Sequence, residues 1–434
     1  MDLAAVARRS VYWALDRARG GHVAQAVTEI NALLDSSRSP AAVAVRRDRL
    51  ADLLRHASKV TDYYAGLDPS DLAEFPVVNK LTFRTNGQSM LARGFAARDL
   101  YPHRTSGSTG TPFESLWDSG KMRQNQADTI ALAGRAGYRL GTPMLYFRLW
   151  GGQYRKSRLR CMKEAITPID VRALDTDRAR EVLDGIRRRR RPVTLFGYSS
   201  ALEQLCHVLD DQDLDVNSHV SAVIAGGEAP TNYLSSAAPR RFGRPLVARY
   251  SNSENGLIAQ QTPGESAYRI NVASYAVEIL RHDSDEPTRA GEEGRIVLTD
   301  LFNYAMPFIR YDTGDVGTFA VDEDDNVDDT TLAAVSGRAL DQLFDTRGRS
   351  LNPMAKPELA DQNLRQYQLI QTGPGKYTLK LNADRDAGRD ARIRADYLTF
   401  LGADADLQIE YVDEVPLLAS GKRQIVINQW RPTG

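Results

Sequence analysis

Between Pro192 and Tyr250, short runs of β-branched and aromatic residues alternate with helical stretches, and that alternation leaves few folds open. Val193-Thr194-Leu195-Phe196-Gly197 reads as a strand, Ala201 to Leu209 as a helix, and Val220 to Ala225 and Leu246 to Tyr250 as further strands. Strand, helix and strand in succession imply a mostly parallel sheet covered by helices, because parallel neighbours need a crossover between them. Upstream, Val11, Trp13, Ala14, Leu33, Leu34, Leu50, Leu53 and Leu54 recur at spacings near three and four, so residues 1–75 read as helical. Downstream, the acidic loop Asp322 to Asp329 ends before Ser336-Gly337-Arg338. The ~95 residues that follow suffice for a small separate domain. The expected organisation is a large α/β domain over 1–340 and a small one over 341–434.

Charge narrows the class of partner. Lys plus Arg and Asp plus Glu number 56 each in 434 residues, so there is no net field to attract nucleic acid or anionic lipid. The run Arg187 to Arg191 lies at the end of a predicted helix, where basic side chains complement the helix dipole and face solvent. No nucleic-acid partner is expected. Cys161 and Cys206 are too few for a disulfide framework and lack metal-ligand spacing, which fits a reducing cytoplasm. Arg8, Arg9, Asp16 and Arg17 interrupt what would have to be the apolar core of a secretion signal, and no run of about 18 apolar residues suggests a membrane span.

Thr105-Ser106-Gly107-Ser108-Thr109-Gly110-Thr111-Pro112 combines two glycines with five hydroxyls and no bulky apolar group. Gly107 and Gly110 allow successive amides to point at one place, and the hydroxyls add donors, which suits a phosphate oxyanion. It is not a Walker loop, because the Gly-Lys-Ser/Thr ending is missing. Alone, such a stretch also fits an ordinary solvated loop.

The other segments decide. In order come FPVVNK (75–80), the loop just described, AGGEAP (225–230), YSNSE (250–254), RYDTGD (310–315), SGRALD (336–341) and SGKRQ (420–424). This ordered set resembles the core motifs of the adenylate-forming superfamily, in particular its phenylacetate-CoA ligase-like branch with the short capsule-biosynthesis relatives. The resemblance implies a large adenylate-forming domain and a small mobile α+β lid. It implies that Thr105, Ser106, Gly107, Ser108, Thr109, Gly110 and Thr111 hold the ATP phosphates, with the Thr109 hydroxyl near Mg²⁺. Gly226, Gly227 and Glu228 would line the adenine and the acid's carboxylate, Tyr250 would pack on the adenine, and Ser251, Asn252 and Ser253 would complete that loop. Glu254 would contact Mg²⁺, a hard cation that takes oxygen ligands. Asp315 would accept hydrogen bonds from the ribose, Arg338 would lie near ribose and phosphate, Asp341 would be the hinge, and Lys422 would reach the reaction centre from the small domain. Where the superfamily usually has glycine after the adenine-stacking tyrosine, this chain has Ser251.

The implied activity is ATP-dependent adenylation of a small acid followed by transfer to coenzyme A, an amine or another nucleophile. An aryl acid is favoured by the branch, and Phe147, Trp150, Tyr198 and Gly226 are the expected pocket residues, within an aromatic stretch that opens at Tyr146. Activation of an inorganic acid such as nitrite, and a nucleotide-binding protein without activity, stand as alternatives, and a homodimer is left open.

Overall fold

The computed structural model describes residues 2–104, 114–148, 150, 156–174, 176–212, 214–227, 229–338, 343–348, 350–351, 357, 359, 364, 366–415 and 426–430. Three helices open the chain, Leu3–Ala18, His22–Asp35 and Pro40–Val60. Their starts are local: Asp2 caps the first by accepting from the Ala5 amide at 3.0 Å, and Ser39 followed by Pro40 starts the third. Ile30, Leu33, Leu34, Leu53, Leu54 and Ala57 turn inward and share one core with Leu257, Ile258 and Ile270 from the strands behind them.

An eleven-stranded sheet forms the body of the molecule. At one end, Ile166–Asp170, Met144–Arg148, Val193–Gly197, Val220–Gly226 and Leu246–Asn252 lie side by side and all run parallel. This is the half expected from the alternation after Pro192. From Leu246–Asn252 onward the pairing becomes antiparallel, through Gly256–Gln261, Tyr268–Ile270, Val327–Arg338, Tyr311–Val321, Gly294–Asp300 and Tyr275–Leu280. The sheet is therefore mixed. Parallel strands are buried on both faces, which is why their sequences read as nearly continuous apolar runs.

Helices Thr176–Arg187, Ser199–Gln212 and Asn232–Phe242 cover one face of the parallel half, closing a core that holds Leu145, Leu195, Val223, Ala225 and Leu246. On the other face Ile224 and Val247 meet Ala136, Tyr138 and Phe196. The basic run is paired with acid: Arg187 and Arg188 lie 3.7 and 4.0 Å from Asp184, and Arg191 contacts Asp2.

A separate four-stranded sheet, ordered Asp406–Tyr411, Lys376–Asn382, Gln366–Gly373 and Val426–Asn428, carries helix Ala387–Leu401. It has its own core of Leu369, Tyr377, Leu379, Ile393, Tyr397 and Leu407, which Leu343 joins. Cys206 is buried and both cysteines are free. No helix among the described residues is long and apolar enough to cross a membrane.

Candidate active site

The sheet changes from parallel to antiparallel at Leu246–Asn252. In open α/β sheets, ligands collect beyond the carboxyl ends of the strands where topology switches, and described residues of four of the motifs, FPVVNK, AGGEAP, YSNSE and RYDTGD, gather there. Tyr250 lies near the carboxyl end of this strand, next to the end of Val220–Gly226 with Gly226 and Gly227. Gly227 has φ +81°, a conformation that favours glycine. Beyond the strand, the Asn252 side chain accepts from the Asn255 amide at 2.7 Å, closing a tight turn that presents Glu254 inward. Ser251 is exposed and Ser253 half-buried.

Glu254 is 2% exposed. Its Oε1 receives the Lys80 ammonium at 2.8 Å and the Tyr311 hydroxyl at 2.8 Å. Burial and the carboxylate together push the Tyr311 hydroxyl well above its ordinary range, so it stays a donor. Lys80 comes from FPVVNK and Tyr311 from RYDTGD, so three motifs meet on one oxygen.

Two of those motifs are also joined through the backbone. The Val78 amide donates to the Arg310 carbonyl at 3.0 Å and the Asp312 amide to the Val78 carbonyl at 2.8 Å. The Arg310 guanidinium grips Glu278 at 3.1 and 3.2 Å and donates to the Phe75 carbonyl at 3.1 Å. Arg310 takes φ +45°, which costs a non-glycine residue about 1 kcal/mol or more. Strain at a residue held by this many contacts marks a conformation imposed by the surroundings.

Tyr250 and Asp315 touch. The Tyr250 hydroxyl lies 2.9 Å from Asp315 Oδ2 and 3.2 Å from Thr313 Oγ1. Its single proton goes to the carboxylate, the charged and nearer acceptor, while the Thr313 hydroxyl donates to the Ile296 carbonyl at 2.9 Å. Tyr250 is 8% exposed, and burial followed by the Asp315 charge raises its hydroxyl well above the ordinary range. Asp315 pairs in register with Arg338 on the neighbouring strand.

Segment 105–113, which includes Thr105 to Thr111, lies outside the described residues, but its flanks are informative. Tyr101–Arg104 and Glu114–Trp117 form an antiparallel pair in which Arg104 faces Glu114, so the segment connects the two arms of a hairpin. The Trp117 indole donates to the Glu254 carbonyl at 2.8 Å. The base of the hairpin is thus tied beside Glu254. Glu228, Asp341 and Lys422 also lie outside the described residues, as does the side chain of Arg338.

The expected pocket aromatics divide between two faces. Phe147 is fully buried in the helix-covered core, and half-buried Tyr198 packs against the same core. Phe147 is therefore a packing residue. Trp150 stands on the opposite face, edge-on to Tyr146 with centroids 5.3 Å apart, its indole donating to the Tyr146 carbonyl at 3.0 Å. Period-two alternation places Tyr146 and Phe147 on opposite sides of one strand. Lys80, Tyr311 and Trp117 were not assigned site positions from sequence, although two of them sit inside motifs already recognised.

No protein-family profile matches the chain. Protein CapK of Staphylococcus aureus is 20% identical over 246 residues, 55% of this chain and 53% of that protein. The chain thus spans about half the length of this curated relative. Among solved structures, 2-hydroxyisobutyryl-CoA ligase in the postadenylation state with 2-HIB-AMP superposes with a TM-score of 0.69, 16% identity, and coverage of 91% of this chain and 90% of that one. The amide bond synthetase McbA from Marinactinospora thermotolerans superposes with a TM-score of 0.55 at 20% identity over 76% of this chain and 68% of McbA. At these identities the likeness shows the fold.

Proposed function

We infer, for a chain that has the fold of the adenylate-forming acyl-CoA ligases, an AMP-forming ligase that activates a small carboxylic acid and passes it to a nucleophile. A carboxylate oxygen of the acid attacks the α-phosphorus of ATP, the bond to the bridging oxygen breaks, and pyrophosphate leaves with that electron pair. The acyl-AMP then loses AMP to coenzyme A or an amine. The observation that carries this reading is the convergence of FPVVNK, YSNSE and RYDTGD on Glu254 and Asp315 at the topological switch of the sheet.

In this reading Asp315, with Tyr250 bonded to one oxygen, accepts from the ribose hydroxyls. A carboxylate is the side chain suited to two such donors. Glu254 keeps Oε2 beyond the Oε1 that Lys80 and Tyr311 share, a fit for Mg²⁺, whose remaining ligands would be phosphate and water oxygens. The metal's contribution would be to neutralise charge gathering on the phosphates. Thr105 to Thr111 hold those phosphates, with Thr109 toward the metal. Gly226, Gly227 and Glu228 line the adenine and the carboxylate, and Lys422 comes in from the small domain as it turns about Asp341. An aryl acid follows from the phenylacetate-type motif resemblance and from the rings at Tyr146, Phe196 and Trp150.

The test is ATP–pyrophosphate exchange across aryl, alkyl and hydroxy acids, with hydroxylamine trapping of the activated product. Exchange with at least one acid is expected, and Lys422→Ala should lower it about 100-fold or more. Exchange absent throughout, or unchanged in Lys422→Ala, would refute the reading.

A further inference from the structure

The helix Ser119–Arg135, which follows the outgoing arm of the hairpin, turns polar side chains into the molecule. Lys121, Gln124 and Asp128 stand at spacings of three and four, the period of one helix face, and all three are buried. A core-facing side is normally apolar, and lysine is among the residues least often buried without a partner. Lys121 is fully buried. Its Nζ lies 2.6 Å from Asp300 Oδ2 and donates to the Tyr275 hydroxyl at 3.1 Å. It also stands 5.2 Å from the Trp117 ring centroid and 4.8 Å from that of Tyr275, two cation–π contacts. Tyr275 and Asp300 face each other in register on adjoining strands, so the sheet presents both to the ammonium together.

Both rings that hold the ammonium end on the turn that carries Glu254. The Trp117 indole donates to the Glu254 carbonyl at 2.8 Å, and the Tyr275 hydroxyl donates to the Asn255 carbonyl. Gly256 follows with φ +103°, and a Cβ there would stand 2.3 Å from Asn125 Oδ1 of the same helix. Three consecutive residues of the turn are thus seated on the hairpin arm, the sheet and the helix. A buried ion pair is a poor source of stability, since apolar residues of similar volume commonly replace one without loss. What the ammonium supplies is position: one charge gathers Trp117, Tyr275 and Asp300 into a single arrangement.

We propose that Lys121 is a positioning residue for the metal, which through Trp117 and Tyr275 fixes the backbone of Glu254 and Asn255 so that the Glu254 carboxylate is held ready for Mg²⁺ arriving with ATP. Lys121 acts through the two rings and not by contact with the reacting atoms. This deepens the ligase reading and rests on it for the role of Glu254. The coupling between metal and nucleotide is a binding property and can be measured with no acid present.

The experiment compares the parent with Tyr275→Phe, which removes one hydroxyl, and with a double variant, Lys121→Met with Asp300→Asn, which leaves neither charge of the pair stranded. Calorimetry reads ATP affinity with Mg²⁺ and with EDTA, and AMP affinity without metal. Pyrophosphate exchange is followed alongside over a range of Mg²⁺, and thermal unfolding reports the fold. Mg²⁺ should tighten ATP binding in the parent, and the double variant should shrink that gain about tenfold, with a smaller loss in Tyr275→Phe. AMP affinity, which needs Tyr250 and Asp315 but no metal, should stay as in the parent. A gain from Mg²⁺ that is lost in the variants while no acid supports exchange would sink the ligase reading and keep this one. No gain in the parent, a gain unchanged in the folded variants, or AMP affinity that falls in step with it would overturn this one. Failure of both variants to fold would make the cluster a device for stability alone, and would overturn it as well.

Discussion

Single side chains set two measurable properties. Lys80 is a third exposed, but its partner Glu254 is buried, so the pair is asymmetric: losing the lysine leaves a carboxylate held by Tyr311 alone. Lys80→Met should destabilise the fold by about 1–3 kcal/mol, read by urea unfolding, with Lys80→Arg recovering part of the loss. The second property is pH dependence. Asp128 is fully buried, and burial raises its pKa to about 6 against the partial relief of Lys121. The folded state therefore binds more protons than the unfolded one between about pH 4 and pH 6, and this group's contribution to stability is lost as pH rises through that window. Asp128→Asn keeps an acceptor for Ser274 at 2.8 Å and Gln124 at 3.2 Å. It should flatten the decline, with a midpoint at about pH 7.5 no lower than the parent's in thermal unfolding. Neither property was legible in the sequence. Lys80 lay inside a recognised motif with no partner to give it a role, and Asp128 sits on a helix whose burial depends on strands about 150 residues away. The aromatic stretch shows the same limit: composition marked a dense patch, while only the strand's facing tells that Phe147 is core and Trp150 is not.

Among elements, the parallel half was readable because strands buried on both faces concentrate β-branched residues into unbroken runs, as at Val193–Gly197 and Val220–Gly226. The antiparallel half was not. Gly294–Asp300 and Tyr311–Val321 pair across a 301–310 connection, and the last of these strands shifts register against its neighbour at several points. Register of this kind is set by tertiary packing rather than by local pattern. The link between 75–80 and 310–315 is the clearest case, since it depends on Arg310 at φ +45° and its grip on Glu278 and Phe75. Arg310→Ala removes the guanidinium and keeps the strained backbone, whereas Arg310→Gly removes both. Both should destabilise by about 2–4 kcal/mol. Despite glycine's larger unfolded-state entropy, the glycine variant should be at least as stable as the alanine one in denaturant titrations.

At the scale of the whole molecule, the core of the four-stranded sheet shares no members with the cores of the eleven-stranded body, which predicts two cooperative units. Calorimetry should resolve more than one unfolding transition. A nucleotide that engages Tyr250 and Asp315 in the body should raise the larger transition first, by about 2.7 kcal/mol at a hundred times its dissociation constant. An AMP titration that moves only the smaller transition would contradict a binding site at the switch of the large sheet.

The indole of Trp117 gives the hairpin a further property. It is buried, stacked on His103 at 3.8 Å and fastened to the Glu254 carbonyl. Any rearrangement at the hairpin's base must therefore alter the surroundings of a native fluorophore. The protein carries an optical gauge of its own occupancy, and emission from this position could follow nucleotide entry in real time without a dye.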